Sequence, residues 1–125
     1  MLLTRRFAGF TVALAVAAST GCTYNKKVDE AIQKYQARNY PAALEDLKTV
    51  DGNESELTPR WDTRYLVFRG LAHLRAYRKD GNAANHAAAR RFLTKGLRQY
   101  ERGERSFLSV QEEREGHLAL DALNE

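Results

Sequence analysis

The side chains able to do chemistry in this chain are few: one cysteine, Cys22; three histidines, His73, His86 and His117; and scattered carboxylates. A thiol acts as a nucleophile beside an activating base, and as a metal ligand beside further Cys or His residues at ligand spacing. Cys22 has no such neighbour, and no histidine has a second His or Cys at that spacing. His73 and His117 fall within helical patterns, where a partly buried, hydrogen-bonded imidazole is the ordinary role. Asp51, Asn53, Ser55 and Asp62 echo a calcium loop, but Glu56 replaces its central glycine and Pro59 crowds its second half, so a solvated loop is expected. Glu112, Glu113 and Glu115 open a helix, where they complement its dipole. No serine sits in a nucleophile elbow, and Gly96, Gly103 and Gly116 are scattered singly rather than gathered into a phosphate loop. The expectation is a chain without catalytic residues, bound metal, cofactor or small-molecule substrate.

One charge pattern stands out. Arg91, Lys95, Arg98 and Arg102 repeat at helical spacing and line a single basic face, with Arg90 and Arg105 nearby. Such a face suits anionic material, lipid phosphates or acidic polymers. The ordinary alternative is pairing with the acidic last helix, together with solvation.

The start of the chain bears on location. Residues 1–6 form a short basic start carrying Arg5 and Arg6, 7–18 are apolar apart from Gly9 and Thr11, and Ser19-Thr20-Gly21-Cys22 closes the stretch with small residues. This is the layout of a secretory signal. The apolar run is shorter than the roughly 20 residues a membrane span needs. Arg5-Arg6-Phe7 is similar to a twin-arginine signal, but the small Ala8 and Gly9 favour the general secretory route. A single cysteine also forms no disulfide framework within the chain.

Thr20-Gly21-Cys22 resembles the bacterial lipobox. The resemblance implies removal of residues 1–21 and a covalent lipid on Cys22. It also implies a lipidated tether over 22–25, which leaves 26–125 as a single domain, expected to be helical from the patterns below. The protein would then be a lipid-anchored component of the bacterial cell envelope, away from nucleic acid. Thr23 stands where lipoproteins of enterobacterial type carry Asp for inner-membrane retention, which points to the outer membrane.

The elements that must position these residues are helical. Two prolines, no long Gly/Ser tract and many Ala, Leu, Arg and Glu residues favour helices over strands. Val28, Ala31, Ile32 and Tyr35 form a stripe predicting a helix over 26–38. Pro41 starts a second, to about residue 50, burying Ala43, Leu44, Leu47 and Val50. Thr58-Pro59 starts a third, to about residue 78, with Trp61, Tyr65, Phe68 and Ala72 on one stripe and Val67, Leu71 and Leu74 on the next. A fourth runs from Asn82 or Asn85 to Arg102, packing through Ala84, Ala87, Ala88, Phe92, Leu93, Gly96, Leu97 and Tyr100. Ser109 and Glu112 form a capping box for a fifth, over 110 to about 124, anchored by Leu118, Leu120 and Leu123.

Ala31, Tyr40, Ala43, Leu44 and Leu47 resemble signature positions of a tetratricopeptide repeat. Leu66, Gly70 and Ala72 resemble its first-helix signature again, with either Ala88 and Phe92 or Ala89 and Leu93 supplying the second helix. The resemblance covers 28–50 and 66–97. It implies an all-α array of about five helices, in antiparallel pairs with a C-terminal capping helix. It also implies a protein-interaction scaffold whose groove is lined by the first helices. By that resemblance Val28, Ile32, Tyr35, Gln36, Arg64, Val67, Leu71, Leu74 and Arg75 would meet a protein partner.

Overall fold

A computed structural model describes residues 20–125. Residues 1–19, and with them most of the expected leader, lie outside the described residues, as do the side chains of Thr20, Gly21 and Cys22. The described chain is all-α: α1 (Thr20–Gln36), α2 (Tyr40–Lys48), α3 (Pro59–Asp80), α4 (Ala83–Arg102) and α5 (Val110–Leu123). Two short 3-10 turns, Glu54–Glu56 and Arg105–Phe107, precede α3 and α5. Among the described residues no helix is long and apolar enough to cross a membrane.

The helices pack as α1 on α2 and α3 on α4, with α3 also against α2 and α5 laid on α4 and α3. Local chemistry sets the boundaries. Pro41 and Pro59 occupy the first turns of α2 and α3, where a missing N–H costs nothing. The Asn82 side chain caps α4 by accepting from the Ala84 N–H. Ser109 and Glu112 close a full capping box on α5.

α3 is the centre of the core: every residue from Tyr65 to Leu74 is buried. Its two stripes meet Tyr35 on one side and Leu93 and Leu97 on the other. The α3–α4 crossing is close because both faces offer glycine. A Cβ on Gly70 would lie 2.5 Å from Leu93 Cγ and 3.1 Å from the Ala89 carbonyl; one on Gly96 would lie 3.0 Å from Leu66 Cβ. Ala89 and Leu93 are both fully buried, so they, rather than Ala88 and Phe92, form the register of this pair.

Several expected facings differ. α1 starts six residues before Lys26, so the expected tether Thr23-Tyr24-Asn25 is helical. Asn25 is pinned there, its Oδ1 accepting from the Thr58 N–H at 3.3 Å. Ala84 and Ala87 are exposed, because they fall on the outward side of α4 while Asn85 and His86 of the same turn meet α3. Trp61 is only half-buried, at the edge of the core, while Phe68 is fully inside it. Leu118 is 62% exposed. α5 instead seats through Gly116, Ala119, Leu120 and Leu123, an i, i+3, i+4, i+7 seam that turns Leu118 to the far side.

Candidate functional site

The expected groove is filled. Val28, Ile32, Tyr35, Val67, Leu71 and Leu74 are all buried, and so present no surface to a partner. With only two helix pairs, the face between their first helices lies under α5. Gly116 of α5 sits against Val67 and Leu97, and the Tyr35 hydroxyl donates to Glu115 at 2.7 Å. Arg64 is a brace rather than a contact residue. Its guanidinium donates twice to Glu112, at 2.7 and 2.9 Å, once to the Phe107 carbonyl, and lies over Trp61 and Phe68.

Gln36 and Arg75 alone of that set remain at the surface beyond a partial share for Arg64. They edge an open hollow of about 940 Å³ between the end of α1, α3 and α5, with Tyr40, Arg38 and Gln111 on its rim. Arg75 is held across it. Its guanidinium stacks 4.6 Å from the Tyr40 ring, its Nε donates weakly to the Tyr35 hydroxyl at 3.4 Å, and Nη2 stands 3.9 Å from Glu115. Burial raises the Tyr35 pKa, and the bond to Tyr35 raises that of Arg75, so the phenol and the guanidinium both hold their protons.

The basic face is intact and outward. Arg90, Arg91, Lys95, Arg98 and Arg102 are all exposed, and among the described residues none of them forms an ion pair. Arg91 makes a cation–π contact with Phe92 at 5.1 Å. The expected pairing with α5 does not form, because the α5 carboxylates point elsewhere. Glu112 is held by Arg64 and Ser109; Glu113 accepts from the Tyr100 hydroxyl and lies near His117; Glu115 serves Tyr35 and Arg75. α5 packs along one side of α4, where Arg90 and Arg98 border a shallow groove with His117 and Leu120, and Arg91, Lys95 and Arg102 are left on the far side. The long concavity from His86 to Gly103 is walled by α4 and its terminal glycine alone, so it is a one-sided surface rather than a cleft.

A polar network not legible in the sequence ties the α2–α3 loop to α3 and α4. Asp51 accepts from the Tyr65 hydroxyl and from Arg69 Nη2 at 2.7 Å, so this member of the calcium-loop pattern faces a guanidinium. Arg69, 6% exposed, lies 5.0 Å from the Phe92 ring; His73, 7% exposed, stacks on the same ring and shares a hydrogen bond with Asn85 at 3.0 Å. Burial pushes the His73 pKa down, and Arg69 adds to the effect. Arginine and histidine on a helix's buried side have no period that marks them; their partners come from other segments. Among the described residues no group of three or more His, Cys, Asp or Glu side chains gathers as a metal site.

Compared with known proteins, the chain matches no family model, no curated protein and no solved structure.

Proposed function

We propose that this chain is a lipid-anchored lipoprotein of the bacterial envelope, outer membrane in preference to inner, whose helical domain is a non-enzymatic binding scaffold. Its contact surface is the basic face of α4, and its ligand class is anionic envelope material, acidic polymer or lipid phosphate. The observation that supports this reading is the separation of charge: among the described residues five exposed cations on α4 form no ion pair, while Glu112, Glu113 and Glu115 of α5 are each engaged by partners within the fold. Charges left unpaired on a folded surface keep their full field for a partner. The anchor rests on the lipobox-like ending at Cys22, and Cys22→Ser should abolish incorporation of labelled lipid.

The test of the contact surface is salt-dependent co-sedimentation of the protein with purified acidic wall polymer and with anionic vesicles. Replacing Arg91, Lys95 and Arg98 together with Gln should abolish binding at low salt. Binding that survives the replacement, or that ignores salt, overturns the reading.

A second reading, capture of a protein segment, is favoured by the hollow at Gln36, Tyr40 and Arg75. There a half-exposed guanidinium sits 4.6 Å over an aromatic ring and offers charge and apolar surface together. Salt-resistant crosslinking to one protein, lost in Arg75→Glu and kept in the α4 variant, selects this reading over the first.

A further inference from the structure

One end of the bundle collects features that neither charged surface uses. Tyr24 in the first turns of α1, Trp61 in the first turn of α3, and Phe107 just before α5 are all half-buried aromatics packed on the rim of the core. Their elements are bound together at this end. Asn25 accepts from the backbone of Thr58, and Arg64 reaches from beside Trp61 to the Phe107 carbonyl. Gln99 of α4 donates to Asp62 and Thr63 beside them. Arg60 and Arg64 flank the Trp61 ring at 5.7 and 5.5 Å.

Cys22 lies in the same continuous helix as Tyr24, because α1 runs unbroken from Thr20 to Gln36. Two helical residues rise about 3 Å, so no slack separates the cysteine from the aromatic end. A lipid on Cys22 would therefore bring this end, and no other, against the bilayer. Half-buried aromatic rings beside cationic side chains suit the water–hydrocarbon boundary, where one part of the ring is apolar and the rest is wet. The charges at this end are of both signs, Lys26, Arg60 and Arg102 against Glu56, Glu101 and Glu104, all exposed. Ring insertion rather than net attraction is thus the contact.

We infer that the bundle stands on the membrane on the end carrying Tyr24, Trp61 and Phe107, with Trp61 in the interfacial zone. This rests on the proposed lipidation of Cys22. Arg90 and Arg91 would then lie at the raised end of α4, about 18 Å along the helix from Arg102, which turns the basic face toward material above the bilayer.

Trp61 is the sole tryptophan, so its fluorescence reports directly. The lipidated protein, taken from cells that process it, is reconstituted into phosphatidylethanolamine–phosphatidylglycerol vesicles with and without lipids brominated near the headgroup. Trp61 emission should shift to shorter wavelength and be quenched by bromine. In a Trp61→Phe/Tyr77→Trp double variant the reporter moves to the other end of α3, about 24 Å away, and should escape quenching. Protein that floats with the vesicles while Trp61 stays unquenched, or while both reporters are quenched alike, overturns the seating and leaves the anchor standing. Protein that carries no lipid and does not float overturns the anchor and the seating with it.

Discussion

α4 and α5 carry opposite charge and put it to opposite use. The acidic start of α5 is engaged within the fold, with the mostly buried Glu112 braced by Arg64 and the partly exposed Glu115 linked to Tyr35 and Arg75. The basic stripe of α4 faces outward and meets no carboxylate among the described residues. Two helices that could have neutralised each other across their shared seam instead join through Leu97, Gly116 and neighbouring apolar groups. The glutamates that open α5 are tied to partners in the fold, and the cations of α4 are in no ion pair among the described residues.

The sharpest way to break this contrast is to remove a carboxylate that α5 turns inward. Glu112→Ala leaves the Arg64 guanidinium, 12% exposed, without its bidentate partner and also opens the capping box. Breaking a buried pair from one side costs about 3–5 kcal/mol, so the melting temperature should fall steeply. An unchanged melting curve would mean that Arg64 and α5 are not coupled.

A smaller effect concerns the buried imidazole beside the α2–α3 loop. The folded pKa of His73 is depressed, so the unfolded chain binds its proton first as pH falls. Its stabilising contribution is present above the unfolded value of about 6.5 and is lost as pH falls from there through the folded pKa. Denaturant midpoints measured down through that window should drop for the natural chain. The drop should be smaller in His73→Gln, which cannot titrate. Equal slopes would assign the acid sensitivity to other groups.

At the mouth of the hollow, Glu115→Gln removes one partner from Tyr35 and Arg75 without emptying the core. The Tyr35 hydroxyl keeps an acceptor in the new amide, and Arg75 is already partly solvated. The expected loss is about 0.5–1.5 kcal/mol, read by thermal denaturation. A loss as large as that of Glu112→Ala would show that this second α5 carboxylate is as deeply structural as the first.

The smallest expected change in stability lies on α4. Replacing Lys95 and Arg98 with Gln should shift the stability by no more than about 0.5 kcal/mol per site, since exposed substitutions away from special contacts are near neutral. Arg91→Gln also gives up the surface cation–π contact with Phe92, at the low end of about 0.5–1 kcal/mol. A marked loss of stability would mean that these cations do support the fold and would erase the contrast with α5.

The helices were readable because their cues are local. Period-3.6 apolar stripes, proline in first turns and the Ser109–Glu112 box each act within a few residues, and the observed α2 to α5 follow them closely. Most of the buried positions of the first three helices were legible for the same reason, Leu44 and Trp61, which are only partly buried, excepted. Charge spacing likewise placed Arg91, Lys95, Arg98 and Arg102 on one side of α4. α5 was harder, because its seam uses Gly116 and Ala119, small residues that carry little hydrophobic signal, while Leu118 on the opposite side carries a strong one.

By itself, then, the amino-acid order determined that the described chain is helical, where its turns fall, and that one helix bears a continuous cationic side. Only the tertiary structure decided which apolar stripe is covered. A stripe shows that a face needs burial, but the neighbour that covers it is chosen by packing across distant segments. Hence Val28 and Ile32 became core in the packing of α1 on α2 and α3, Val67 and Leu71 were covered as well, and the exposed surface passed to α4 and the rim around Arg75. The partners of Asp51, Arg64 and Arg69 were settled at the same level, because a hydrogen bond between residues far apart in sequence exists only once the helices have docked.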